Sequence, residues 1–438
     1  MPTAAPAPTF SGLTVCILTI VALAICIIIG TKVKSNIGVL ALIAASILGI
    51  YVFGMRASAI YTYWPISIVL QMLIVTFFYG FANVTGTAKY LADWAIYAAR
   101  KVPALLPVIF FVVDFAMMAI GINPGAVTVF LVPVFIKICY QSGVSEMIIL
   151  TSHCLALGAG CTSPIGSIGI VAKGLFNLFG FEGQGGVLLP RIWLNFVLVG
   201  IICFIIVYFV FGGYKFKLHG EVTKPAPATP LIKKNLTLII VCVLLFVVPM
   251  LLGKFIPFFS KISSGMDVLM VYSFGCFMAV LLGLGNEREV LKNEVPWSTI
   301  LLVGGCATLI AVCSSMGLGT YLSGLVSGVG ATFLIPSALA VLAGAVSLVS
   351  DSTAVVFPLF FPMVAGIAGS TGLSATKLFS CIMIGAILSG VAPISTGGSM
   401  LLGLVDKDRR NKIFGQLWIY CICLLVVLAL LALTPVIS

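Results

Sequence analysis

Apolar runs long enough to cross a bilayer recur from one end of the chain to the other, and the polar positions between them fall in a repeating order. The first half gives spans over 12–30, 35–54 and 63–83, then an amphipathic stretch over 85–101. Two shorter apolar arms, 105–121 and 124–141, meet at a polar tip. A long run over 146–178 is interrupted by Gly, Pro and Ser, and a last span covers 188–212. The second half repeats this order: spans 235–253, 266–284 and 297–313, an amphipathic 316–328, arms 333–349 and 352–369, a broken run 374–405 and a last span 412–436. The pattern predicts an all-α polytopic membrane protein with about ten transmembrane helices, two re-entrant hairpins and two broken helices. Five crossings per half is an odd number, so the two repeats are expected to be inverted. They should occupy 1–212 and 235–438, joined by a cytoplasmic linker over 213–234.

The repeat extends to individual residues. Asn123-Pro124-Gly125-Ala126-Val127 opens one run, with Pro133 inside it and Ser163-Pro164-Ile165-Gly166 after it. Asp351-Ser352-Thr353-Ala354-Val355 opens the other, with Pro362 inside and Ala392-Pro393-Ile394-Ser395 after. Pro133 to Pro164 and Pro362 to Pro393 are both 31 residues, and Gly86, Tyr90 and Leu91 recur 231 residues later as Gly317, Tyr321 and Leu322. Paired Gly- and Pro-rich interruptions at matching places in two halves point to the binding site of a secondary transporter.

Composition agrees. Hydrophobic residues are 61% of the chain and charged ones 8%, against about 25% charged in soluble domains. Nothing before Lys32 is charged, so the first segment reads as a retained helix and not as a signal peptide. The 13 cysteines lack metal-site or framework spacing and read as packing residues. With both termini outside, seventeen Lys and Arg fall on the cytoplasmic side and six toward the outside, as the positive-inside rule requires. The net charge of +11 is thus largely topology and needs no nucleic-acid partner.

Chemistry is expected at the tips and breaks. A new helix starts at each tip, and its free amides and positive dipole end suit a carboxylate. Carbonyls freed at the breaks suit a hard cation such as sodium. The substrate-binding candidates are Asn123, Gly125, Thr162, Ser163, Ser352, Thr353, Ser395 and Thr396, and the cation-coupling candidates are Asn123, Gly160, Ser350, Asp351 and Ala392. Asp351 is expensive at mid-membrane, about 2.5–3.5 kcal/mol on insertion scales. It is either a cation or proton ligand or a helix cap. Asp114 is expected to pair with a nearby Lys or to reach water. His153 is either a structural hydrogen bonder or, with Asp114, a proton-linked group. Asn195, Asn177 and Gln71 read as interhelical hydrogen bonders.

These residues resemble the divalent-anion:sodium symporters of the ion transporter superfamily, most closely the dicarboxylate carriers typified by the bacterial malonate carrier. The stretches that carry the resemblance are Pro124 to Pro133, His153 to Gly160 leading into Ser163-Pro164-Ile165, and Pro296-Trp297 ahead of Gly304-Gly305. The resemblance implies inverted repeats, a homodimer and an elevator motion of the hairpin-bearing part. It implies sodium ions co-transported at the hairpin tips and no other cofactor. It also implies a multi-pass place in the inner (plasma) membrane. The symporters carry Ser-Asn-Thr at each tip. Here the tips read Asn123-Pro124-Gly125 and Asp351-Ser352-Thr353, and their mutual register is open by one residue, since Asn123 to Pro133 is ten residues and Asp351 to Pro362 eleven.

A carrier of small dicarboxylates of the malonate, succinate or malate class is therefore expected, coupled to sodium in preference to protons. A proton-coupled or exchange carrier of another small organic anion is the alternative. An intramembrane hydrolase lacks a nucleophile–base pairing, and a channel would build its pore from a ring of like loops, whereas these two tips differ and lie in one chain.

Overall fold

The computed structural model describes residues 10–99, 101–217, 224–252, 256, 258, 268–327 and 331–438. Every regular element among them is a helix. Helix α1 is Gly12–Val33, capped by Ser11, whose hydroxyl accepts the Thr14 amide. α2 is Ile37–Ser46, capped by Asn36, and continues as a π-helical segment Ile47–Val52. α3 is Ala57–Thr62, α4 Ile66–Val84 and α5 Thr87–Ala99. The first hairpin is α6 Leu106–Ala119 and α7 Pro124–Ser142, and the first broken run is α8 Met147–Cys161 and α9 Ser167–Leu178. α10 is Gly185–Val210.

The second half begins with α11 Pro230–Leu252, α12 Val268–Leu281 and α13 Glu287–Asn293, then α14 Trp297–Ser315 and α15 Leu318–Ser327. Its hairpin has α16 Ile335–Ser347 as first arm. The second arm is composite: a π-helical turn Ser352–Val356, α17 Phe357–Phe360, a 3-10 turn Phe361–Met363 and α18 Val364–Thr371. The broken run is α19 Ala375–Ser389 and α20 Thr396–Leu404, and α21 Arg410–Ala432 ends the order.

Among the described residues, six helical segments are long and apolar enough to cross a membrane by length and composition. The residues they turn outward suit lipid: Ile17, Ile20 and Ile28 on α1, Phe274 and Phe277 on α12, and Ile419, Ile422 and Val426 on α21 are exposed. A continuous apolar surface of this kind would be an aggregation hazard in water. The Ser352–Thr371 arm is itself of spanning length, but its first residues line an internal cavity.

Packing between the halves is reciprocal. α2 packs on α14, and α4 packs on α12. Thus the second span of each half meets the third span of the other. The first arm of each hairpin packs on the broken run of its own half, α6 on α8 and α16 on α19. Both contacts bring backbones together at glycine: a Cβ on Gly160 would meet the Phe115 carbonyl, and one on Gly385 the Ala340 carbonyl. Small residues allow this close approach where apolar lipid gives helices no hydrophobic drive to associate. Gly305 of α14 faces the Gly38 carbonyl of α2 in the same way.

The one-residue discrepancy between the tips has a structural cause. α7 runs as an α-helix from Pro124, whereas the corresponding arm starts with the π-helical turn Ser352–Val356, which accommodates an extra residue. Asn123 and Asp351 therefore correspond, and the insertion lies after the tip.

Candidate functional site

Both tips and both breaks open onto one cavity of about 410 Å³. The starts of four helical segments reach it: Pro124 and Gly125 of α7, Ser352 and Thr353 of the second arm, Ser167 and Ile168 of α9, and Gly397 of α20. Pro296 and Thr299, at the start of α14, complete one wall. Helix starts present free amides and the positive end of the peptide dipole. Four helix starts therefore turn their positive ends toward one cavity. Asp351 is the charged residue among those lining it, with His153 the other ionisable group besides the Cys154 thiol, and no described Lys or Arg reaches it.

The two tips are built alike. Asn123 Oδ1 accepts the Gly125 amide at 2.8 Å, so the Asn caps the helix that Pro124 opens. Asp351, in an extended conformation, accepts the amides of Thr353 at 3.0 Å and Ala354 at 2.8 Å, and the Thr353 hydroxyl at 2.8 Å. All three bonds go to Oδ1, so capping occupies one carboxylate oxygen and Oδ2 takes no part in it. Gly121, just before the first tip, has φ +101° and lies against the Tyr79 ring, so glycine is required there on both counts.

Several predicted ligands are placed in the cavity and several are not. Asn123, Gly125, Ser350, Asp351, Ser352, Thr353 and Ser395 line it, as does His153. Ser352 is partly committed, its hydroxyl donating to the Ala386 carbonyl at 2.9 Å and lying 2.8 Å from Ser347 Oγ. Ser395 caps α20, accepting the Gly398 amide at 3.1 Å. Thr396 opens α20, and its side chain lies outside the described residues. Thr162 and Ser163 do not line the cavity. Both are buried, and their hydroxyls donate to the carbonyls of Gly158 at 2.6 Å and Ala119 at 2.5 Å, because the chain at the first break folds back onto the first hairpin arm. Gly160 is a packing glycine against α6, and the Ala392 carbonyl accepts the Ser395 amide and hydroxyl inside the second break. Neither lines the cavity.

Asp114 also departs from expectation. Its charged partner is not a lysine, and it does not reach solvent. It is fully buried, and its Oδ2 lies 2.8 Å from His153 Nδ1. His153 Nε2 lies 2.9 Å from the Thr128 hydroxyl, which donates to the Pro124 carbonyl at 2.7 Å. A polar chain thus runs from the first hairpin arm through α8 to the tip. Thr128 carries a signal that sequence reasoning passed over: it stands four residues after Pro124 and so returns to the tip's face of the helix. Ser167 and Thr299 are further lining hydroxyls missed because each begins a helix in an apolar context. Asn195 is an interhelical bonder, its Nδ2 donating to Ser380 Oγ at 2.8 Å, whereas Asn177 serves its own loop through the Gly183 amide.

Residues 13–162 match the family model described as dicarboxylate carrier protein MatC N-terminus. This stretch holds the first tip, His153 and Asp114, and stops at the first break. No curated protein matches the sequence. In fold, the chain is similar to the crystal structure of the Alcanivorax borkumensis YdaH transporter, described as having an unusual topology, with a TM-score of 0.59 and 14% identity over 98% of this chain and 99% of that one. Both likenesses are to transporters rather than enzymes. The chain is an all-α polytopic membrane protein, similar in fold to the YdaH transporter and, over residues 13–162, in sequence to the dicarboxylate carrier family model.

Proposed function

We propose that the chain is a secondary active carrier of small dicarboxylates, of the malonate, succinate or malate class, that binds substrate in the cavity between the two tips. The observation that carries this reading is the convergence of four helix starts on one cavity without a basic side chain. Backbone amides and hydroxyls can hold two carboxylates there. A dicarboxylate beside Asp351 places three negative charges in one poorly solvated space. They repel one another unless cations enter with the substrate. Coupling to cations is then a condition of binding, and sodium is favoured at the tips, where carbonyls and Asp351 Oδ2 are oxygen ligands suited to a hard ion.

The reciprocal packing of α2 with α14 and α4 with α12 supports inverted repeats over 1–212 and 235–438. With that symmetry, alternating access proceeds by movement of the hairpins and broken runs as a body against the remaining spans, an elevator motion, in a homodimer of the inner membrane with both termini outside. A second reading, proton coupling, is favoured by one observation, the buried Asp114–His153 pair beside the cavity.

Uptake of labelled malonate and succinate by purified protein in liposomes, under an inward sodium or an inward proton gradient at matched membrane potential, tests the proposal. Accumulation under the sodium gradient is expected. Failure of both gradients to drive either acid overturns the dicarboxylate assignment.

A further inference from the structure

We propose that the Asp114–His153 pair is a proton-binding site, and that Thr128 reports its occupancy to the Pro124 carbonyl at the first hairpin tip.

In the proton-loaded state of the pair, the one proton that the Thr128 hydroxyl has to donate goes to the Pro124 carbonyl. The bond between Thr128 Oγ1 and His153 Nε2 then needs a proton on Nε2. The contact between Nδ1 and Asp114 Oδ2 needs another proton between those two atoms. In this arrangement the pair holds two protons in all, and it is neutral whichever way the shared proton is assigned.

Loss of one proton has a definite consequence. A ring with its only proton on Nε2 would point the Nδ1 lone pair at the Asp114 carboxylate, with nothing between them. The proton therefore stays on Nδ1, bonded to Asp114, and Nε2 becomes an acceptor. The donor within reach is Thr128, whose hydroxyl must turn from the Pro124 carbonyl to the ring. Pro124 lines the cavity at the tip. One lone pair of its carbonyl is thereby released when the pair loses its proton and reoccupied when the proton returns.

Other ionisable groups stand around this pair. Cys161 of α8 interacts electrostatically with Asp114, and Cys154 lines the cavity beside His153. Tyr420 and Cys421 of α21 interact with Cys154. Asp351 lies across the same cavity, and the Glu294 carboxylate is turned to Asn83 at 2.7 Å. On α5, Lys89 and Asp93 are exposed. Lys137 and Tyr140 stand nine or more residues beyond Thr128 on α7, and Lys377 of α19 bonds the Thr434 carbonyl. Arg191 of α10 is exposed. The polar chain has no counterpart in the second half, where the residues at corresponding places in α16 and α19 are apolar.

This inference deepens the transport reading and rests on it for its role, but its test does not depend on transport. The chain has two histidines and one Pro-Gly pair, Pro124-Gly125. Nitrogen-15 histidine spectra of full-length protein with His219→Gln therefore report His153 alone. Carbon-13 proline carbonyl with nitrogen-15 glycine labelling isolates the Pro124 carbonyl. Across pH 5 to 9, His153 Nε2 is expected to be protonated at the acid end and Nδ1 alone at the alkaline end. The Pro124 carbonyl resonance should move with the same midpoint. In Asp114→Asn the proton affinity should fall about tenfold or more, since the charged partner is gone. In Thr128→Val the His153 step should persist while the Pro124 carbonyl no longer follows, and Thr128→Ser should restore the link. A ring that holds one tautomer throughout overturns the proton site. A ring that titrates while the wild-type Pro124 carbonyl stays still overturns the relay. Titration as expected together with absent dicarboxylate uptake would sink the transport reading and leave the proton site standing.

Discussion

Asp351 and Asn123 do the same local work, since each places a side-chain oxygen over the amides of the helix that follows it. Asparagine is therefore a capable cap at this position, and Asp351→Asn separates capping from charge. We predict that the variant keeps its thermal stability to within about 1 kcal/mol but loses cation-driven accumulation. Uptake and melting measured on the same preparation check this, and full accumulation by the variant would reduce Asp351 to a cap. The sequence identified these two residues through their place at the openings of the repeated runs. It misjudged Thr162 and Ser163, because a hydroxyl next to a helix break can turn either to the cavity or to a neighbouring carbonyl, and the linear order does not say which. Asp114 and His153 were both singled out, but their pairing was not legible across 39 residues.

At the scale of elements, the helix starts and breaks were largely legible, because proline, glycine and hydroxyl residues punctuate apolar runs at matched places. The π-helical turn after Asp351 was visible only as an unexplained extra residue. Tight packing of the hairpins on the broken runs depends on single glycines, and here the expectation is quantitative. Gly160→Val and Gly385→Val each push a side chain into a facing carbonyl and should destabilise by about 1 to 3 kcal/mol. Gly324→Ala, which meets nothing within 4 Å and lies inside α15, should be neutral or stabilising by up to about 1 kcal/mol. Thermal melts of the three variants in one detergent decide the matter. Equal losses in all three would contradict close approach as the cause, since Gly324 has open space around it.

Across the whole molecule, the two halves exchange partners, α2 with α14 and α4 with α12, and the first-half loop before α8 is tied to the second half by Glu146, which receives Arg409 at 3.1 Å. Arg409 also lies over the Tyr140 ring at 4.5 Å. The proposed inverted topology puts Lys34 and Lys407 on the same, cytoplasmic side. Single cysteines at these two positions should react with a membrane-impermeant thiol reagent only when it is applied from that side. Twelve of the native cysteines are buried, so background labelling rests mainly on Cys423. Opposite sidedness of the two reporters would contradict an odd number of crossings per half.

The most direct measurement is the binding of labelled malonate to purified protein at fixed sodium, compared between wild type, Asn123→Ala and Thr353→Val. If the two tips form one site, each substitution should weaken binding about tenfold, the worth of roughly one charge-assisted hydrogen bond or ion ligand, and removal of sodium should weaken it in all three. Wild-type affinity in either variant, with folding intact, would contradict a single cavity shared by both tips.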